Sequence, residues 1–308
     1  MNKLHLFMLL LVVALAGCDI GKDFGDYDNK EEVTGFRESH NKKVLSELEG
    51  KKEELAKKLD EPGEEDRDKL EEDLANTNRR LGSPEFFTHD ATMEDLPKDL
   101  IWEEGLDQPE LGSSRAKKGG TFNTYFSGLS FPPTIRSIGK NANNSFRSEH
   151  WDNVEMALVS LHPNTMETIP GLADRWAVGK DGRTVYFRIK EKAKWSDGNP
   201  VTVEDFFMTF HVCLSEYVTG PWYRQYYGTM FENITRYDDR HLSVRLANKK
   251  PKPEYYASLT PYSRVFYSEF GPDFEKRYNW RVRPTTGAYQ ILEENVVKGH
   301  GHQVGCDG

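Results

Sequence analysis

Cysteine is scarce. The 308 residues contain three, Cys18, Cys213 and Cys306, too few for a scaffold stapled by disulfides. A pairing of Cys213 with Cys306 in an oxidising compartment stays open at the level of sequence. Cys213 itself lies in an apolar helical run and reads as a small buried hydrophobe. Positive charge is in deficit, with 41 Lys and Arg against 50 Asp and Glu and a formal net charge of −9. No basic stripe of the kind that nucleic-acid binding needs is present. After residue 16 no segment is apolar enough to span a bilayer. The motifs of common chemistry are missing too: there is no glycine-lysine phosphate loop, no His-Glu-x-x-His helix and no Gly-x-Ser-x-Gly elbow. Gly128-Leu129-Ser130 lacks the closing glycine of that elbow. His300, His302 and Cys306 are metal-binding residue types, but they sit on a terminal segment and no metal site is assigned to them. Carboxylates abound, mostly on charged helical runs where a solvated face is the natural reading. The sequence supports no catalysis and calls for no cofactor.

What is present starts at the N-terminus. Lys3 precedes an apolar run over residues 4–16, too short to cross a bilayer comfortably, which predicts a secretory signal over residues 1–18. Leu15-Ala16-Gly17-Cys18 resembles a bacterial lipobox. That resemblance implies lipidation of Cys18, which becomes the new N-terminus. Buried acyl methylenes contribute about 0.8 kcal/mol each, so a multiply acylated cysteine anchors stably. Asp19 resembles the signal that retains lipoproteins at the inner membrane of enteric bacteria. The expected location is the bacterial cell envelope, lipid-anchored on the periplasmic face of the inner membrane or the outer face of the plasma membrane.

Residues 19–42 are polar and aperiodic and read as a flexible tether. Over 43–82 the composition shifts to Glu, Lys, Leu and Ala. Val44, Leu48, Leu55 and Leu59 fall near helical spacing, Asp60-Glu61-Pro62-Gly63 breaks the run, and Leu70, Leu74 and Leu81 line a second one. This predicts an antiparallel helical hairpin with a thin apolar stripe that needs a body to pack on. It reads as a spacer or as a docking arm. Residues 83–116 read as a connector, pinned by Trp102 and the Phe86-Phe87 pair.

A compact domain is expected over 117–299. Lys117-Lys118-Gly119-Gly120 leads into a β-prone segment, Thr121 to Phe126, followed by a long Asn-, Ser- and Pro-rich loop. Residues 151–161 (WDNVEMALVSL) read as a helix, with Val154, Leu158 and Leu161 on one face. The sharpest unit spans Gly171 to Phe210. Leu172 to Trp176 leads into a short strand, and Gly179-Lys180-Asp181-Gly182 turns it. Thr184 to Lys190 then alternates, with Val185, Phe187 and Ile189 on one side and Tyr186, Arg188 and Lys190 on the other. Lys194 to Gly198 turns again. Thr202 with Asp205 three residues later caps a helix whose inner face carries Phe206, Phe210 and Cys213. Gly220 to Gly228 (GPWYRQYYG) reads as an aromatic loop. Residues 234–237 and 241–247 read as a hairpin over Asp238-Asp239. Short helices over 253–259 and 267–278 and a strand from Tyr289 to Leu292 complete the reading.

Three segments, in this order, resemble the family 5 extracellular solute-binding proteins: the Lys-Gly-Gly start, the Gly171–Phe210 unit, and Thr286-Gly287-Ala288-Tyr289. Within the middle one, KAKWSDGNPVTVEDF is similar to the oligopeptide-binding branch. The resemblance implies an α/β, periplasmic-binding-protein-like (class II) fold of two lobes around a solute cleft, with a small extra subdomain that holds the central unit. It implies a non-catalytic receptor that delivers peptide, or another small solute, to an ABC permease. Only the first lobe and the extra subdomain are accounted for, and residues 300–308 depart from the family pattern, so the chain reads as truncated at its C-terminus. The loop after the first strand, with Ser130, Phe131, Asn143 and Asn144, lies where such receptors contact solute, and Tyr226 and Tyr227 would wall the cleft. For each of these residues a surface or packing role is the alternative. The alternative for the whole chain is a lipoprotein scaffold or sensor that binds another protein.

Overall fold

The computed structural model describes residues 30–60, 67–81, 88–113, 115, 132–293 and 304–306. The predicted signal, Cys18, the segment from Thr121 to Phe126, Ser130, Phe131, the Phe86-Phe87 pair, His300 and His302 lie outside the described residues.

Helices α1 (Lys30–Asp60) and α2 (Arg67–Leu81) form the expected hairpin. Leu48 and Leu55 are buried on α1 and Thr77 on α2. Helix α1 begins at Lys30, so it reaches back into the stretch that reads as a tether. Lys, Glu and Arg dominate those added turns, and the single Gly35 costs only about 1 kcal/mol of helix propensity.

Among the described residues nine strands follow, β1 (Thr88–Asp90), β2 (Val159–Leu161), β3 (Thr168–Pro170), β4 (Ala173–Val178), β5 (Thr184–Ile189), β6 (Phe231–Arg236), β7 (His241–Leu246), β8 (Tyr289–Ile291) and β9 (Val304–Cys306). Five of them make one sheet in the order β1-β6-β7-β5-β4. All its pairings are antiparallel except β1 with β6. The connector thus contributes a strand. It also covers part of the β4 edge, where the Glu103 N–H donates to Trp176 O (2.8 Å) and the Trp176 N–H to Glu103 O (3.0 Å).

Helix α3 (Val203–Leu214) packs on the sheet. One side of the β5 alternation holds: Val185, Phe187 and Ile189 are fully buried and meet Phe206, Phe207 and Phe210 of α3 in one cluster, but Tyr186 on the other side is buried as well, so the strand is not simply half-exposed. The carboxylate half of the α3 cap is also in place, with the Thr202 N–H donating to Asp205 Oδ2 at 2.9 Å. The helix is not half-exposed, since its polar residues Asp205, Thr209 and His211 are buried along with the apolar ones.

Two segments fold differently from their local pattern. In the first, residues 151–161, a π-helical turn (Arg147–Trp151) runs through Asp152–Val154, after which the chain extends into β2. Its amides are claimed from outside the segment. The Leu158 N–H donates to Leu259 O (3.0 Å) and the Val159 N–H to Ser258 Oγ (2.9 Å). Tertiary pairing outranks helical spacing here, because Leu158 and Val159 are both buried. Two glycines permit the close packing: a Cβ on Gly171 would lie 2.2 Å from Ala157 O, and one on Gly287 would lie 1.9 Å from Val154 O.

The second segment is Gly220 to Gly228, which forms most of helix α4 (Pro221–Met230) rather than a loop. Pro221 begins the helix, where its missing N–H costs nothing. Tyr223, Tyr227 and Met230 share the face that packs inward.

Candidate functional site

The loop over 132–155 meets α4 and the 262–285 segment, and the described sequence-predicted contact residues lie in this region. Asn144 organises the loop. Its Nδ2 donates to Thr134 O (3.1 Å) and Asn141 O (2.8 Å), while its Oδ1 accepts from the Phe146 N–H (2.9 Å) and the Arg147 N–H (3.3 Å). Short polar side chains that bond their own backbone neighbours are standard turn builders. Asn143, next to it, is exposed.

Arg147 joins this loop to α4. Its guanidinium donates to the Tyr223 hydroxyl and, at 3.2 Å, to Asp152 Oδ1. Tyr223 sits on the same helix as Tyr226 and Tyr227, so the structure connects Asn144 to the tyrosines through Arg147. The two tyrosines differ in setting. Tyr227 packs edge-on against Phe210 (5.5 Å) and tilted against Phe231 (5.4 Å). Burial, with the Cys213 thiol beside it, holds its phenol well above 10. Tyr226 is half-buried and stacks on exposed Trp222 with ring centroids 5.0 Å apart and planes 6° from parallel. Burial and the nearby Tyr255 and Tyr256 raise its phenol.

Behind the loop lies Arg283, which sequence reasoning did not single out. It is buried, ion-paired with Glu155, and placed over the rings of Trp151 (4.7 Å) and Tyr262 (5.6 Å). Burial, reinforced by the positive charge of Arg147, brings it down to about 9. It still carries its charge at neutral pH. Arg147 and Arg283 were missed because they become neighbours only in the fold. The one local hint was a pair of arginines next to a tryptophan, NWRVRP, over residues 279–284. The Thr286-Gly287 turn docks on the same loop, with Thr286 Oγ1 accepting from the Met156 N–H at 3.0 Å.

The chemistry on offer is recognition. Rings stack, guanidiniums donate, and the raised phenols stay protonated at neutral pH, so they can donate hydrogen bonds but not act as bases. Among the described residues no group of three or more His, Cys, Asp and Glu side chains could hold a metal ion. No helix among them is long and apolar enough to cross a membrane.

Residues 167–301 match the bacterial extracellular solute-binding proteins, family 5 Middle. The chain is 50% identical over 40 residues to the dipeptide-binding protein DppE of Bacillus subtilis, which is 13% of this chain and 7% of that protein. It is 28% identical over 164 residues to the periplasmic oligopeptide-binding protein OppA of Salmonella typhimurium, covering 45% of this chain and 28% of that protein. Among solved structures, the oligopeptide-binding protein AppA of Bacillus subtilis in complex with a nonapeptide aligns with a TM-score of 0.48 at 16% identity, over 58% of this chain and 35% of that one. The chain therefore spans well under half the length of these relatives.

Proposed function

We propose, from the premise that this chain belongs to the family 5 bacterial extracellular solute-binding proteins through its residues 167–301, that it takes part in capturing peptides for an ABC importer. The observation that carries the reading is the sequence match to OppA, which extends over 164 residues. The candidate site is chemically compatible with it. Protonated phenols, an exposed Trp222 stacked on Tyr226 and the guanidinium of Arg147 suit a ligand with amide carbonyls and mixed side chains. In this proposal Asn143, Asn144, Tyr226 and Tyr227 flank the bound peptide, and Ser130 and Phe131 extend the same loop. Cys18 carries the lipid anchor that holds the protein at the envelope surface, and an ABC permease receives the solute. The domain plan goes with it: a helical hairpin whose first helix starts at Lys30 rather than at 43, a connector over 83–116 and a partial solute-binding domain over 117–299.

The test is native mass spectrometry of the full chain after incubation with a defined mixture of di- to octapeptides. Retained peptides that are lost on Tyr226→Ala are expected. A well-folded monomer that retains none sinks the reading for this polypeptide. Metabolic labelling with a palmitate analogue should mark Cys18, and Cys18→Ser should abolish the label.

A further inference from the structure

A groove outside the candidate site is lined by Glu103, Glu104, Asp107, Glu167 and Glu254, together with Trp176. Two cations border it. Arg175 Nη2 donates to Glu104 Oε1 at 2.7 Å, and Lys252 Nζ to Glu167 Oε2 at 2.8 Å. The Thr168 hydroxyl donates to Glu254 Oε1 at 2.8 Å. Three acids are left without a cationic partner among the described residues: Glu254, which has only that hydroxyl, Glu103, and Asp107, whose contact is a long 3.4 Å bond from Gln108 Nε2. The lining thus carries more negative charge than the two cations offset.

Two further observations are independent of that charge. First, Trp176 is 1% exposed, and its indole Nε1–H has no hydrogen-bond partner among the described residues. A buried donor of this kind is uncommon in a settled fold. Gly105, at φ +58°, lets the strap formed by residues 101–111 lie directly on this ring, since a Cβ there would come within 2.7 Å of Trp176 Cη2. Second, the strap that bears the acids and the neighbouring turn display large apolar side chains to solvent: Ile101 (80% exposed), Leu106 (74%), Leu111 (65%) and Met166 (55%). Acids and uncovered apolar side chains in one short stretch mark an interaction surface rather than a solvated face.

We propose that this groove is a docking surface for a cationic, leucine-bearing segment of a partner polypeptide. Lysine or arginine side chains of that segment pair with Glu103 and Asp107. Its apolar side chains cover Leu106 and Ile101. A free small cation would leave the apolar rim uncovered, and an acidic segment would meet like charge. The proposal goes beyond the solute reading and stands or falls separately from it.

The test is titration calorimetry of the full chain with a synthetic Lys-Leu peptide, its Glu-Leu counterpart and free lysine. The Lys-Leu peptide should bind, and its affinity should fall with added salt. Glu103→Lys with Asp107→Lys should weaken it by about tenfold. Ile101→Ser with Leu106→Ser should weaken it by about fivefold. All four side chains are exposed, so circular dichroism should show unchanged folding. The indole N–H resonance of Trp176, assigned by its loss in Trp176→Phe, should move on peptide addition. Unchanged affinity in the charge-reversed variant, equal binding of the Glu-Leu peptide, or free lysine binding as tightly as the peptide overturns the proposal. A still Trp176 resonance overturns it as well.

Discussion

Helix α3 and the α1–α2 hairpin are both helical, but they are held by different forces. Eleven residues of α3 are buried, and its phenylalanines interlock with four strands of the main sheet. The hairpin buries Leu48, Leu55 and Thr77 among its described side chains and meets the sheet through Arg79. That arginine donates from Nη1 to both Glu232 oxygens (2.9 Å each) and from Nη2 to Ala247 O (2.7 Å). Glu232 itself is buried, and it also accepts from Arg183 Nη1 at 2.9 Å and lies 3.3 Å from Arg245 Nε. The contrast is between a body that coheres through apolar area and a marginal helix pair tied to it through arginines at the end of α2, Arg79 bonded to Glu232 and Arg80 close to it.

Breaking the first side of the contrast should have the largest effect. Phe206→Ala leaves a cavity in the main cluster and should cost about 3–5 kcal/mol in urea denaturation. A loss under 1 kcal/mol would mean that α3 is not the keystone of the body.

Breaking the junction comes next. Glu232→Gln strips the buried partner from Arg183 and weakens the hold on Arg79, for about 3 kcal/mol. The loss should appear together with faster hydrogen exchange in α2. Exchange unchanged in α2 would separate the hairpin from the network.

A pH experiment sharpens what lies inside α3. Burial raises the Asp205 carboxyl to about 6, against the pull of hydrogen bonds from the Thr202 and Arg264 amides and the Trp195 indole. A carboxyl whose folded value lies above its unfolded one contributes most below the unfolded value near 3.8, and that contribution fades as pH rises through about 6. Asp205→Asn should therefore cost more at pH 5 than at pH 7.5, by about 1 kcal/mol. The opposite sign would mean that the three donors outweigh burial.

The smallest effect tests the hairpin alone. Arg79→Ala removes a side chain that is about one-third exposed, so the midpoint of sheet unfolding should move by less than about 1 kcal/mol. Limited proteolysis within α1 and α2 should nevertheless accelerate several-fold. Equal cleavage rates would show that the apolar stripe suffices to hold the hairpin.

Much of the body is legible in the chain because its signals are short-range. Val185, Phe187 and Ile189 alternate, Asp205 follows Thr202 at capping distance, and Asp238-Asp239 turns β6 into β7. Each depends on residues close in sequence, where backbone sterics and side-chain period decide the outcome. The candidate site is less legible. Asn143, Asn144, Tyr226 and Tyr227 were singled out, but Arg147, Tyr223 and Arg283 were not, because their partners lie far along the chain.

Residue order alone determined the hairpin breaks, the β4–β5 turn, the capped α3 and the resemblance carried by residues 171–210, all of them consequences of neighbours in covalent reach. Only tertiary structure decided that residues 159–161 extend rather than coil, that the Gly220–Gly228 stretch winds into α4, and that Glu232 serves arginines from three separate segments. Those outcomes turn on which amides and charges find partners once distant segments are brought together, and that competition takes place only in the assembled core.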